Sequence, residues 1–166
     1  MITSLRRTKR DERGSVAVEF AVVLVTILLP LLAGALFFGR FFWHYTVAEK
    51  AAQNAARFLA SASPTELKIP GSSGEAAIVG AAKALALAEI AELNPSPTYP
   101  PLVYVYCDGG PCLPFRTAPL PTKVSVYVTM SMDDPFFSGL SSLFAGDGGI
   151  GPIQIDATGN SYYVGK

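Results

Sequence analysis

From residue 20 to residue 39 no side chain ionises, and most positions are Val, Leu, Ile, Phe or Ala. Twenty helical residues rise about 30 Å, the thickness of a bilayer's hydrocarbon core, so this run predicts a membrane-spanning helix. Pro30 sits in its middle, removes one backbone hydrogen bond and predicts a kink between Thr26 and Pro30. Residues 40–62 contain neither Gly nor Pro and are rich in alanine. There Glu49, Gln53 and Arg57 recur every fourth residue, while Val47, Ala51, Phe58 and Ala62 fall on another face. The two runs join into one predicted helix of about 45 residues, half in lipid and half beyond it, whose small residues allow close helix approach.

Downstream the periodicity changes twice. Residues 63–74 read as a loop, and Ser72 followed by Glu75 resembles a capping box opening a second helix. That helix carries Val79, Ala82, Ala86, Ile90 and Leu93 on one stripe and ends at Asn94-Pro95. Residues 102–107 are β-rich, and Val124, Val126, Val128 and Met130 alternate with Lys123, Ser125, Tyr127 and Thr129. Between these runs, Gly109, Gly110 and four prolines predict irregular structure over 108–122. A last strand is expected over 153–157, with a further piece at 162–164. Helices first and a small antiparallel sheet after them is an α+β layout, organised as 1–14, 15–62 and 63–166.

Composition sharpens this picture. Half of the residues are hydrophobic and only 16% are charged, against about 25% in soluble domains. The net charge is zero, but Arg6, Arg7, Lys9, Arg10 and Arg13 outnumber Asp11 and Glu12 ahead of the apolar run. A basic head stays cytoplasmic by the positive-inside rule, which places 63–166 outside the inner membrane. Trp43 and Tyr45 follow the span as interfacial aromatics would, and Arg40 reads as a snorkelling anchor. The mildly acidic remainder speaks against nucleic acid as a partner. Cys107 and Cys112 are too few for a structural zinc site. In an exported body a local disulfide, contributing about 2 kcal/mol, is the better reading than free thiols.

The junction ahead of the span, Arg13-Gly14-Ser15-Val16-Ala17-Val18-Glu19-Phe20, carries the chemistry. A carboxylate at the lipid boundary is costly and needs a reason. Cleavage after Gly14 supplies one, because the freed amino group of Ser15 lies four residues before Glu19 and on the same helix face. The pair can close within one subunit, or Glu19 can accept a neighbour's new terminus and set axial register among otherwise nonspecific helices.

The Gly-x4-Glu-Phe junction resembles the prepilin-peptidase site of type IV-like pilins. With the apolar helix, Phe38-Gly39-Arg40 and Asn54-Ala55-Ala56-Arg57, it resembles the TadE-like minor pilins of the tight-adherence (Flp) pilus. The resemblance covers about residues 13–60. It implies that Gly14 precedes the scissile bond, that Ser15 becomes the mature terminus, and that Glu19, followed by Phe20, is the assembly carboxylate. Two positions depart from the family: Phe37 stands where an acidic residue is frequent, and Pro30 lies about a turn farther from the glutamate than usual. The partners implied are a prepilin peptidase, other pilin subunits, the pilus assembly platform and the lipid bilayer.

The remaining residues point to no reaction. His44 has no partner nearby in sequence and reads as an interfacial histidine; Asp133, Asp134 and Asp147 read as turn residues without calcium-loop spacing. Residues 146–151 lack a phosphate loop's context and lysine. A structural or assembly subunit is therefore expected, with no catalytic residues, metal, cofactor or small-molecule substrate. The rival reading is an unprocessed single-pass anchor for a periplasmic binding or sensing domain.

Overall fold

The computed structural model describes residues 12–71, 73–93, 95, 97–114, 119–132 and 152–165, with side chains from residue 16 onward. Ser72, Asn94, Asp133, Asp134, Asp147 and the 146–151 run lie outside that set. The chain divides into two compact units, Met1–Phe38 and Gly39–Lys166.

Helix α1 runs from Glu12 to Ala60 with Pro30 inside it. Its stretch Val16–Ala60 is long and apolar enough to cross a membrane. In the first unit large apolar side chains are exposed all round the helix, among them Val16, Phe20, Leu28 and Leu31. A helix apolar on every side is one that is covered in its working state, by other protein or by lipid. Pro30 offers no N–H to the Thr26 carbonyl, and the Thr26 hydroxyl in turn donates to the Val22 carbonyl at 2.7 Å. The helical run nonetheless continues unbroken through the proline.

In the second unit one face of α1 is buried: His44, Ala48, Ala51, Ala52, Ala55, Ala56 and Leu59. The stripe therefore runs through Ala52 and Leu59, and Phe58, expected on the apolar face, is exposed. A 3.6-residue period centred on 48, 52, 55 and 59 leaves position 58 off the axis of that face. A single-turn 3-10 helix, Glu66–Lys68, follows inside the stretch expected to be a loop. Ser63 and Glu66 hold it reciprocally: the Ser63 amide donates to the Glu66 carboxylate at 2.7 Å, and the Glu66 amide donates to Oγ of Ser63 at 3.3 Å. The Ser63 amide, joined by the Ser63 hydroxyl donating to the same carboxylate at 2.9 Å, lowers the pKa of Glu66.

Helix α2 spans Ala77–Ala91 and buries Val79, Ala82, Ala86 and Ile90, with Leu93 just beyond it. Its start differs from the expected capping box. Ala76 occupies the N-cap position without a side-chain bond. Glu75 instead pairs with Lys83 at 2.6 Å. The preceding backbone is committed elsewhere: Pro70 and Ala76 form a β-bridge, and the Ala76 amide donates to the Cys112 carbonyl at 3.1 Å.

Four antiparallel strands complete the fold: β1 Leu102–Cys107, β2 Gly110–Pro111, β3 Lys123–Met132 and β4 Ile153–Tyr162, in spatial order β2-β1-β3-β4. The short β2 lies within the stretch read as irregular. Asp108 and Gly109, both at positive φ (51° and 84°), make the two-residue turn that folds it back on β1. The last strand is one piece of ten residues, not two, because β3 pairs with it continuously from Met132↔Ile153 to Lys123↔Tyr162. One face of the sheet is core: Val105 and Cys107; Val124, Val126, Val128, Met130 and Met132; Ile155, Ala157 and Gly159. At Gly159 the strand meets α1 backbone to backbone, where an added Cβ would collide with the Ala52 carbonyl. The chain then returns to the end of α1: the Val164 amide donates to Ala60 O at 3.1 Å, and the Tyr163 hydroxyl donates to Ala62 O at 2.8 Å. Burial, aided by the nearby Glu66 charge, raises the pKa of Tyr163.

Candidate functional site: the helix start and the bridged hairpin

The Gly14–Ser15 peptide bond lies in the first turn of α1, which opens at Glu12. The first four amides of a helix have no acceptor within it, so this bond sits where helical structure is held most weakly, and Gly14 weakens it further. Helical backbone over 15–19 puts Ser15 and Glu19 at the i, i+4 spacing of one face. Glu19 is exposed, as is Phe20 at 66% of its surface. The carboxylate stands about two turns from the helix start at Glu12.

Farther along α1, His44 is buried, with 4% of its surface exposed, and is not the interfacial side chain expected. It heads the alanine stripe, and its Nδ1 lies 2.8 Å from the Arg40 carbonyl one turn back. Trp43 and Tyr45, its neighbours, are exposed.

The structure joins Cys107 and Cys112 in a disulfide with a Cα–Cα separation of 5.0 Å. The bridge clamps the β1–β2 turn, and Cys112 is fully buried. Asp108 secures the same turn from outside: its carboxylate accepts the Thr122 amide at 2.9 Å and the Lys123 amide at 2.8 Å. The Cys112 carbonyl, through Ala76, ties this hairpin to the start of α2.

One contact between the helices is invisible in the sequence. Asn54 donates to both oxygens of Glu89, at 2.9 and 3.2 Å, joining α1 to α2 across 35 residues. Periodicity assigns each residue to its own helix and is silent on such pairs. Asp108-Gly109, in contrast, is a two-residue hairpin signal that was legible between the β-rich run and Gly110.

Residues 14–57 match the model of a family described as TadE-like protein. No match was found among the curated proteins or among the solved structures.

Proposed function

From a chain whose residues 14–57 match the TadE-like family, we propose a minor-pilin or pseudopilin subunit of a tight-adherence pilus, cut by a prepilin peptidase between Gly14 and Ser15. The observation that carries the reading is a glycine in the first turn of a long apolar helix with an exposed carboxylate five residues on. A peptidase needs its substrate bond extended. Unwinding one frayed, glycine-containing turn costs little and leaves the apolar helix intact.

Cleavage leaves an ammonium on Ser15 and a carboxylate on Glu19 one helical turn later. In the waiting subunit the two pair within the chain. In an assembly, Glu19 takes the terminus of a neighbour, and only an axially staggered neighbour brings that charge to the right height. The pair then supplies the register that apolar helix contacts lack. The basic head lies on the cytoplasmic side of the inner membrane and residues 63–166 form the periplasmic body, a reading supported by the disulfide, since such bonds persist in oxidising compartments. The α+β body distinguishes the role from that of a major pilin, which by resemblance is little more than the helix. Peptidase, fellow pilins and the assembly platform are its partners.

Intact-mass measurement of the protein from membranes tests the processing step. Residues 1–14 are absent when the peptidase is active and retained when it is deleted. A full-length chain in both backgrounds overturns the proposal and leaves a single-pass tethered domain.

A further inference from the structure

The sheet has a second face that the core does not use. On it β1 and β3 set Tyr104 opposite Tyr127 and Tyr106 opposite Ser125. The three rings are 46%, 42% and 36% exposed for Tyr104, Tyr127 and Tyr106. Tyr106 meets Tyr127 edge to face, with centroids 5.4 Å apart and planes at 88°, so each ring limits the other's rotation. A cavity of about 430 Å³ lies over these three tyrosines, Ser125 and Thr129. A second, of about 500 Å³, lies beside Tyr99 and shares Tyr104 and Thr129 with the first. The two form one trough with an aromatic ring at its midpoint.

Its chemistry is selective. Among the described residues, no side chain lining either cavity carries a charge. The neighbouring Asp156 is already engaged, accepting from the Thr129 hydroxyl at 2.8 Å and from Gln154 at 3.1 Å. A nucleic acid or other polyanion would call for Lys or Arg, and an apolar chain would call for aliphatic walls. Pro100, Leu102 and Met130 give the Tyr99 end some apolar wall, but along the strands flat aromatic faces stand beside hydroxyl and amide groups.

We propose that this trough binds a neutral oligosaccharide chain. A pyranose ring presents weakly positive C–H groups on its faces and hydroxyls around its rim. The faces suit the negative face of a tyrosine ring, and the rim hydroxyls can donate to the oxygens of Ser125, Thr129 and Gln154, whose own donors are turned to Asn160 and Asp156. Charge complementarity favours an uncharged ligand. Each cavity falls within the range of small-ligand sites, and two in line through Tyr104 fit consecutive sugar units. This inference does not depend on the processing proposal.

The test is affinity electrophoresis of the full-length protein in detergent, in native gels cast with galactomannan, hydroxyethyl cellulose or laminarin, and with heparin as the charged comparison. At least one neutral polysaccharide retards the wild type. Tyr104→Ala weakens that retardation by about tenfold or more, the effect of losing one aromatic anchor, while Tyr104→Phe stays within about threefold because the ring remains. Ser125→Arg, which plants a charge in the trough, also abolishes retardation and serves if Tyr104→Ala does not fold. The proposal is overturned if no neutral polysaccharide retards the protein, or if retardation is confined to heparin. It is equally overturned if Tyr104→Ala and Ser125→Arg, both folded, are retarded like the wild type, as when a protein partner is the true occupant.

Discussion

Gly159 offers the sharpest test of how the sheet sits on α1. A Cβ at that position would overlap the Ala52 carbonyl and approach the Gln53 amide nitrogen to 2.5 Å. Ordinary Cβ contacts begin near 3.4 Å, so Gly159→Ala demands a separation of about 1 Å between two backbones. No rotamer change can supply it, because both clashing groups are main chain. Overpacking costs about 1–3 kcal/mol, and the upper end applies where backbone must move. For a body of about 100 residues, each kcal/mol lowers Tm by about 4–8 °C, so a fall of 12 °C or more is expected. Gly80 on α2 is the internal control, since a Cβ there meets nothing within 4 Å. Gly80→Ala gains helix propensity and raises stability by up to about 1 kcal/mol. Both substitutions restrict the unfolded chain alike, so their opposite signs isolate packing at Gly159. The assay is thermal unfolding of the detergent-solubilised protein followed by circular dichroism. A Gly159→Ala Tm within about 4 °C of the wild type would refute the close helix–strand contact.

Four further outcomes are expected. Glu19→Ala leaves processing and membrane insertion intact but abolishes co-assembly with other pilins, read by co-purification; surviving co-assembly would sink the register mechanism. Replacing Cys107 and Cys112 by serine lowers unfolding stability by about 2 kcal/mol by denaturant titration. Asn54→Ala frees the Glu89 carboxylate of its two bonds and costs about 1–2 kcal/mol, an effect that should vanish in a Glu89→Ala background. Ser63 depresses the pKa of Glu66 below its ordinary 4.5. The stability Glu66 adds is therefore complete above that value and is lost as pH falls through the lower folded one, so Glu66→Gln should flatten the acid limb of the stability profile.

Residues that obey one strong period were legible. The uncharged run from 20 to 39 marked the apolar helix, the 79, 82, 86, 90 stripe marked the buried face of α2, and alternation from 123 to 130 marked β3. The α+β order followed from those three. Where several weak signals competed, the reading slipped. Ser72 and Glu75 have capping-box spacing, but Pro70, Ala76 and Ala77 are bound to partners outside the helix, and those long-range bonds decide where α2 starts. Phe58 was placed with Val47, Ala51 and Ala62 by spacing, yet the buried face is centred on 48, 52, 55 and 59, which turns Phe58 outward and Leu59 in. Residues 158–161 carry no alternation that assigns them to the last strand; their continuous pairing with β3 does. At the junction, the spacing of Gly14, Ser15 and Glu19 was plain in the sequence; that the bond between the first two lies in a helical turn was not.

The contact between Ala52 and Gly159 also fixes an order of events during synthesis. At about 5–20 residues per second, the roughly 100 residues separating them take about 5–20 s to emerge. Throughout that interval the alanine stripe of α1 lacks the strand that finally covers it. A nascent chain stalled before β4 would present a bare, small-residue helix face open to close approach by other helices. Completion of the strand is what removes that face from view.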